Sequence, residues 1–164
     1  MPNYKGHLFG GLVVYVFVML FFVATKPSFL TASEWLLFTL AGALFPDVDV
    51  KSKGQKYFYY IVLLLFVFLF YYGQFKILSC VSIIAITPML TKHRGIFHRP
   101  WFLIVMPISV CLLLPIAFSN QYFVQKLFYS GSQDRLLFVA LFFVLGALSH
   151  VFLDRMVSRL RFRS

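Results

Sequence analysis

All four histidines of the chain, His7, His93, His98 and His150, sit in short polar motifs, and three of its five acidic residues, Asp47, Asp49 and Asp154, sit in the same motifs. Each motif lies at the end of a long apolar run. Ligand-type side chains are costly beside hydrocarbon, so gathering them at helix ends that can meet points to one shared site. Imidazoles and carboxylates together are the donor set of zinc or manganese, and the site is expected to hold a divalent transition metal, one ion or two.

The motifs differ in how strongly they speak. In Ser149-His150-Val151-Phe152-Leu153-Asp154 the His and Asp are four residues apart and share a helix face. They suit two ligands of one ion, or a ligand and the carboxylate that orients it, or a hydrogen-bonded pair. Lys92-His93-Arg94-Gly95-Ile96-Phe97-His98 cannot be a straight helix if both rings face one point, because five residues turn through about 500°. Gly95 permits a bent backbone and Pro100 stops helix continuation, so a curled loop is expected. The bland alternative is a basic interfacial loop. Asp47 and Asp49 follow Pro46 directly, at a helix exit where the dipole disfavours acids, so a cation must compensate: a metal, or Lys51 and Lys53. His7, in Lys5-Gly6-His7, is the softest member. Arg94, with Lys53 or Arg99, suits a phosphate or carboxylate; the alternative is that these cations only flank the membrane.

The elements that position these groups are apolar. Of 164 residues 61% are hydrophobic and 20% aromatic, 22 of them Phe, which no soluble core of this size could hide. The expected fold class is all-α, a single-domain polytopic membrane helix bundle of about six (four to six) spans, read at residues 8–25, 33–46, 57–73, 76–91, 101–118 and 136–154. Span two, with Thr39, Gly42 and few bulky residues after Phe38, is the weakest. Gly73-Gln74-Phe75-Lys76 reads as a tight turn between spans three and four. The first run is read as a retained span and not a signal peptide, since no A-x-A-like site closes it. Thr31-x-x-Glu34 matches a capping box, and Asp134 precedes span six, where a helix N-terminus favours negative charge. Cys80 and Cys111 lie inside apolar runs and read as packing residues.

Six spans put the termini on one side, and every motif reaches that same side. It carries eleven of the fifteen Lys and Arg residues, among them Lys5, Lys51, Lys53, Lys56, Arg155 and Arg159, against Lys26, Lys76, Lys126 and Arg135 opposite. By the positive-inside rule the site and both termini face the cytoplasm. The formal charge of +10 flanks apolar runs instead of lining a groove, so membrane lipids are the expected partners and no nucleic acid is.

The motifs together resemble the YdjM-like family, described as LexA-regulated, membrane-bound proteins predicted to be metal-dependent hydrolases. The family pattern is an early Gly-His, a Leu-Pro-Asp-Ile-Asp followed by Lys-Ser and Gly-Gln, a His-Arg-Gly-x-Thr-His-Ser, and a Ser-His-x-x-x-Asp. This chain has, in the same order, Gly6-His7, Phe45-Pro46-Asp47-Val48-Asp49, Lys51-Ser52-Lys53-Gly54-Gln55, His93-Arg94-Gly95-Ile96-Phe97-His98 and Ser149-His150-Val151-Phe152-Leu153-Asp154. The resemblance implies a metal-dependent hydrolase of the bacterial inner membrane. The family is distantly similar to the all-helical zinc phospholipase C and P1-nuclease group, which hydrolyses phosphate esters. Two departures stand out: Phe97 and Arg99 replace the usual Thr and Ser, and a basic tail, Arg155 to Arg163, replaces a Thr-Pro-x-Gly tract.

The expected ligands are His7, Asp47, His93, His98, His150 and Asp154, with Asp49 as a further ligand or general base and Arg94 on the substrate, a phosphate ester or lipid. The rival reading is a non-catalytic metal-binding scaffold or a metal transporter. A transporter binds near the bilayer midplane, whereas the midspan stretches 61–70 and 137–145 hold no ionisable residue.

Overall fold

The computed structural model describes residues 3–49, 53–90, 96–117 and 133–161. Among the described residues the chain is all-α: α1 (Tyr4–Phe22), α2 (Phe29–Leu44), α3 (Lys53–Tyr71), α4 (Phe75–Leu90), α5 (Pro100–Ala117) and α6 (Gln133–Arg161), joined in part by 3-10 turns at Val23–Thr25, Phe45–Asp49 and Ile96–His98. Four of these helices are long and apolar enough to cross a membrane, and α5 offers a shorter apolar stretch, Pro100–Leu112. The protein is an all-α membrane helix bundle.

Local chemistry sets the boundaries. Asn3 caps α1, its Oδ1 accepting the Gly6 N–H at 3.1 Å, so the helix starts before His7 instead of after it. It loosens at Val23–Thr25, and Lys26, at φ 45°, turns the chain out ahead of Pro27. Ser28 caps α2 by accepting the Thr31 N–H at 3.2 Å. This corrects the capping box expected at Thr31 and Glu34: the helix begins a turn earlier, and Glu34 faces α6. There Arg135 grips it bidentately, with Nε and one terminal nitrogen each 3.0 Å from a carboxylate oxygen.

The α3–α4 turn is the one expected. The Gln74 N–H reaches Leu69 O at 2.8 Å and the Gly73 N–H reaches Phe70 O at 3.0 Å, a Schellman closure with Gly73 at φ +66°. Pro100 is the first residue of α5, where its missing N–H costs nothing.

The core of the bundle is α2 against α6. A Cβ on Gly42 would overlap the Phe143 carbonyl, and one on Gly146 would overlap the Thr39 carbonyl, so the two backbones touch through small residues. Lipid tails are as apolar as Leu, and close van der Waals packing between helices replaces the hydrophobic effect as the driving force. The scarcity of bulky residues that made span two hard to recognise is therefore what fixes its place. α1 packs on both helices and α5 on α6, while the α3–α4 hairpin leans on the Phe45–Asp49 turn. Two apolar clusters brace the ends. Phe45, Val48, Phe97, Leu103, Ala147 and Val151 form one; Trp35, Val139 and Phe142 form the other.

Candidate metal centre

Five of the expected ligands meet at one end of the bundle. His7 comes from the first turns of α1, Asp47 from the turn after α2, His98 from the turn before α5, and His150 and Asp154 from α6. His7 and His150 are 1% and 0% exposed.

The donor atoms form a closed arrangement. His150 Nε2 lies 3.5 Å from Asp47 Oδ1 and 3.7 Å from Asp154 Oδ2. His98 Nε2 lies 3.8 Å from the same Asp47 oxygen and 3.9 Å from the same Asp154 oxygen. Across the Asp154 carboxylate, Oδ1 is 3.6 Å from His7 Nε2. These gaps exceed the roughly 2.7–2.9 Å of a charge-assisted hydrogen bond. They suit donors of one cation, since two ligands about 2.1 Å from a tetrahedral ion lie about 3.4 Å apart. The His–Asp pair at positions 150 and 154 is thus too widely spaced to be an intrahelical hydrogen bond. Two metal-capable triads can be drawn, His7 with His150 and Asp154, and Asp47 with His98 and His150.

His150 shows its role most directly. Its Nδ1 is 2.7 Å from the carbonyl oxygen of Ala43. A carbonyl only accepts, so Nδ1 carries a proton and, in the neutral ring, Nε2 presents the lone pair. That Nε2 is buried and has no hydrogen-bond partner, and Asp154 Oδ1 is in the same condition. An imidazole oriented by a backbone carbonyl through one nitrogen, with the other bare and aimed at carboxylates, is the usual arrangement of a metal-ligating histidine. The His7 ring stacks on His150, centroids 3.6 Å apart and 12° from parallel, and the His98 ring stands at 74° to it. The residues present fit a divalent cation.

Packing explains how loop residues reach such positions. Phe97, where the family pattern has Thr, is buried between Phe45 and Phe102, with ring centroids at 5.5 and 5.3 Å, and so pins the turn that carries His98. The Gln55 amide donates to Val48 O at 3.0 Å and holds the turn that carries Asp47 against α3. Arg99 is exposed beside His98.

His93 and Arg94 lie outside the described residues. Asp49 ends its 3-10 turn, and its side chain, like that of Lys53, also lies outside the description. Sequence reasoning did not find Ala43, whose contribution is a carbonyl and leaves no signal in residue type. It quoted Gln55 within a motif but gave it no task.

The family model described as YdjM inner membrane protein matches residues 1–159, which include every residue of the cluster. The chain belongs to that family. No curated protein and no solved structure matches it. The membership places the chain among inner membrane proteins, in keeping with its apolar helices.

Proposed function

We propose that the chain is a metal-dependent hydrolase of the inner membrane, acting on a phosphate ester from the cytoplasmic face. The observation that carries this reading is the gathering of five imidazole and carboxylate groups into two metal-capable triads that share His150, whose Nε2 is bare and buried. Structural zinc sites are built on cysteine; catalytic ones use His with Asp or Glu. Here Cys111 is elsewhere, beside the Leu136 carbonyl, and the cluster is wholly nitrogen and oxygen. That composition supports catalysis over a scaffold.

His98, His150, Asp47 and Asp154 are the inner donors, and His7 faces the second oxygen of Asp154. One carboxylate with a histidine near each oxygen would serve one ion or two. Zinc is the metal best matched, manganese the alternative. The bound ion would supply Lewis-acid polarisation of the phosphoryl oxygen and activation of water. Ala43 holds His150 in the ligating tautomer, and Gln55 and Phe97 keep the two ligand-bearing turns in register. His93 is assigned as a further ligand, Asp49 as general base or ligand, and Arg94 to the substrate phosphate, where a bidentate guanidinium is suited.

The chain crosses the membrane several times with both termini in the cytoplasm. The support is the charge asymmetry, eleven cations on the cluster's side against four. The reading is tested by turnover of a phosphodiester by protein in mild detergent. Activity should vanish on chelation and return with zinc or manganese. Metal retention without turnover across phosphomonoesters, phosphodiesters and phospholipids would make the protein a metal-bound scaffold.

A further inference from the structure

The α1–α6 contact has two sides. One carries the ligand cluster; the other is a groove of about 580 Å³ walled by Gly6, Gly10 and Val14 of α1 and by Leu145, Ser149 and Leu153 of α6. A Cβ on Gly10 would overlap the Leu153 side chain, so the two helices meet closely at the floor of the groove. Phe9 and Val13 at its lip are exposed, so the groove faces the bilayer.

Depth decides what lies beside it. Arg135, paired with Glu34, marks one membrane surface, and Asp154 is about 28 Å farther along α6 at 1.5 Å per residue. A bilayer's hydrocarbon layer is about 30 Å thick, so the cluster sits where acyl chains give way to headgroups. From that level the groove descends alongside residues 6–14, about 12 Å into the hydrocarbon.

Groove and cluster are joined at the headgroup end. Each of the three ligands on these two helices has a chain neighbour in the groove wall: Gly6 beside His7, Ser149 beside His150, Leu153 beside Asp154. α1 begins only three residues before His7, so its first turn is all that separates the groove's upper end from the donors. Charge continues both walls. Lys5 is one turn before Phe9, and Arg155 and Arg159 are two turns beyond Leu148 and Phe152; all three are exposed. An apolar slot ending at a cationic rim matches an anionic lipid: tail below, phosphate above.

We infer that the substrate of the site is an anionic phospholipid of the same leaflet, its acyl chain lying in the α1–α6 groove and its phosphate drawn past Lys5 and Arg155 toward the cluster. This rests on the hydrolase reading above. The bond broken is a phosphate ester of the headgroup; water supplies hydroxyl to phosphorus and a proton to the departing alkoxide, with no redox partner needed.

The test uses the full chain in vesicles of phosphatidylethanolamine and phosphatidylglycerol, with a phosphatidylglycerol probe carrying a photoreactive diazirine in its acyl chain. Labelling should concentrate on residues 6–14 and 145–153. Leu148→Trp and, independently, Val13→Trp fill the groove and should cut that labelling at least five-fold, with metal content serving as the check on folding. The same variants should lower kcat/KM for long-chain phosphatidylglycerol at least ten-fold more than for a water-soluble phosphodiester, and Leu64→Trp on the outer face of α3 should change neither. Labelling spread over α3 and α1 alike, labelling unaffected by the tryptophans, or equal labelling by a phosphatidylcholine probe overturns the inference. So does protection of the groove by a second copy, seen as disulfide dimers of Val13→Cys. If the tryptophan variants turn over both substrates like the parent, the lipid inference falls and the hydrolase reading stands. If the parent turns over neither, both fall, whatever the labelling.

Discussion

Replacing Gly42 by Ala changes one methyl group, touches no ligand, and should still empty the site. A Cβ at position 42 would overlap the Phe143 carbonyl and sit 3.1 Å from the Ala147 nitrogen, with backbone, not a flexible side chain, on the receiving end. α2 must then move off α6 by roughly 1 Å, an overpacking that costs about 1–3 kcal/mol. Asp47 rides on the end of α2, and its Oδ1 is 3.5 Å from His150 Nε2. The shift opens that gap to about 4.5 Å, beyond the roughly 4.2 Å that two ligands about 2.1 Å from one ion can span. It also stretches the 2.7 Å contact that fixes the His150 tautomer. Loss of such an orienting partner alone typically weakens metal binding about 10–100-fold. The assay is a competition titration with a chromophoric chelator on protein in mild detergent, with circular dichroism confirming unchanged helicity. Gly146→Ala, whose Cβ would overlap the Thr39 carbonyl, should behave alike. Gly73→Ala strains the left-handed backbone of the α3–α4 turn but lies on neither α2 nor α6, and should leave metal affinity unchanged. Wild-type metal affinity in a helical Gly42→Ala protein would refute the link between the glycine contact and the cluster.

Three further outcomes follow from the same geometry. Gln55→Ala releases the turn that carries Asp47 by removing the hydrogen bond to Val48 O, worth about 1 kcal/mol, and should weaken metal binding several-fold with a small change in thermal midpoint. Glu34→Gln breaks the pair with Arg135 at the far end of the bundle; Arg135 is more than half exposed, so the cost should be below about 1 kcal/mol and metal content should not change. Reporter fusions after residues 50, 95 and 161 should all report the cytoplasm and one at residue 126 the opposite side; finding 50 and 95 on different faces would end the single-site account.

The grouping of these residues was legible because imidazoles and carboxylates are rare in an apolar chain and stand at the ends of its apolar runs. His7, Asp47, His98, His150 and Asp154 were all found this way. Helix ends were less legible: α6 continues to Arg161 because nothing in Arg155-Met156-Val157-Ser158-Arg159 breaks a helix, whereas the apolar pattern ends near Asp154. Glu34 was misread because an acid three residues after Thr looks like a cap, and its true partner lies about a hundred positions away. Span two was the weakest signal for the reason that it packs closely: small residues weaken the apolar signal along one helix while strengthening the contact between two. The Ala43 carbonyl could not be read at all, since every residue offers a backbone carbonyl and only the folded geometry singles this one out.

On the proposed reading, side chains gathered from four separate elements hold a metal. Elemental analysis of protein purified in mild detergent without added metal tests it most directly. The account predicts one or two equivalents of zinc or manganese per chain in the parent, and loss of most of it in His150→Ala, Asp154→Ala and Asp47→Ala, with Cys111→Ser unchanged. A parent that carries no transition metal and takes up none on titration, or ligand variants that keep the full complement, would contradict it.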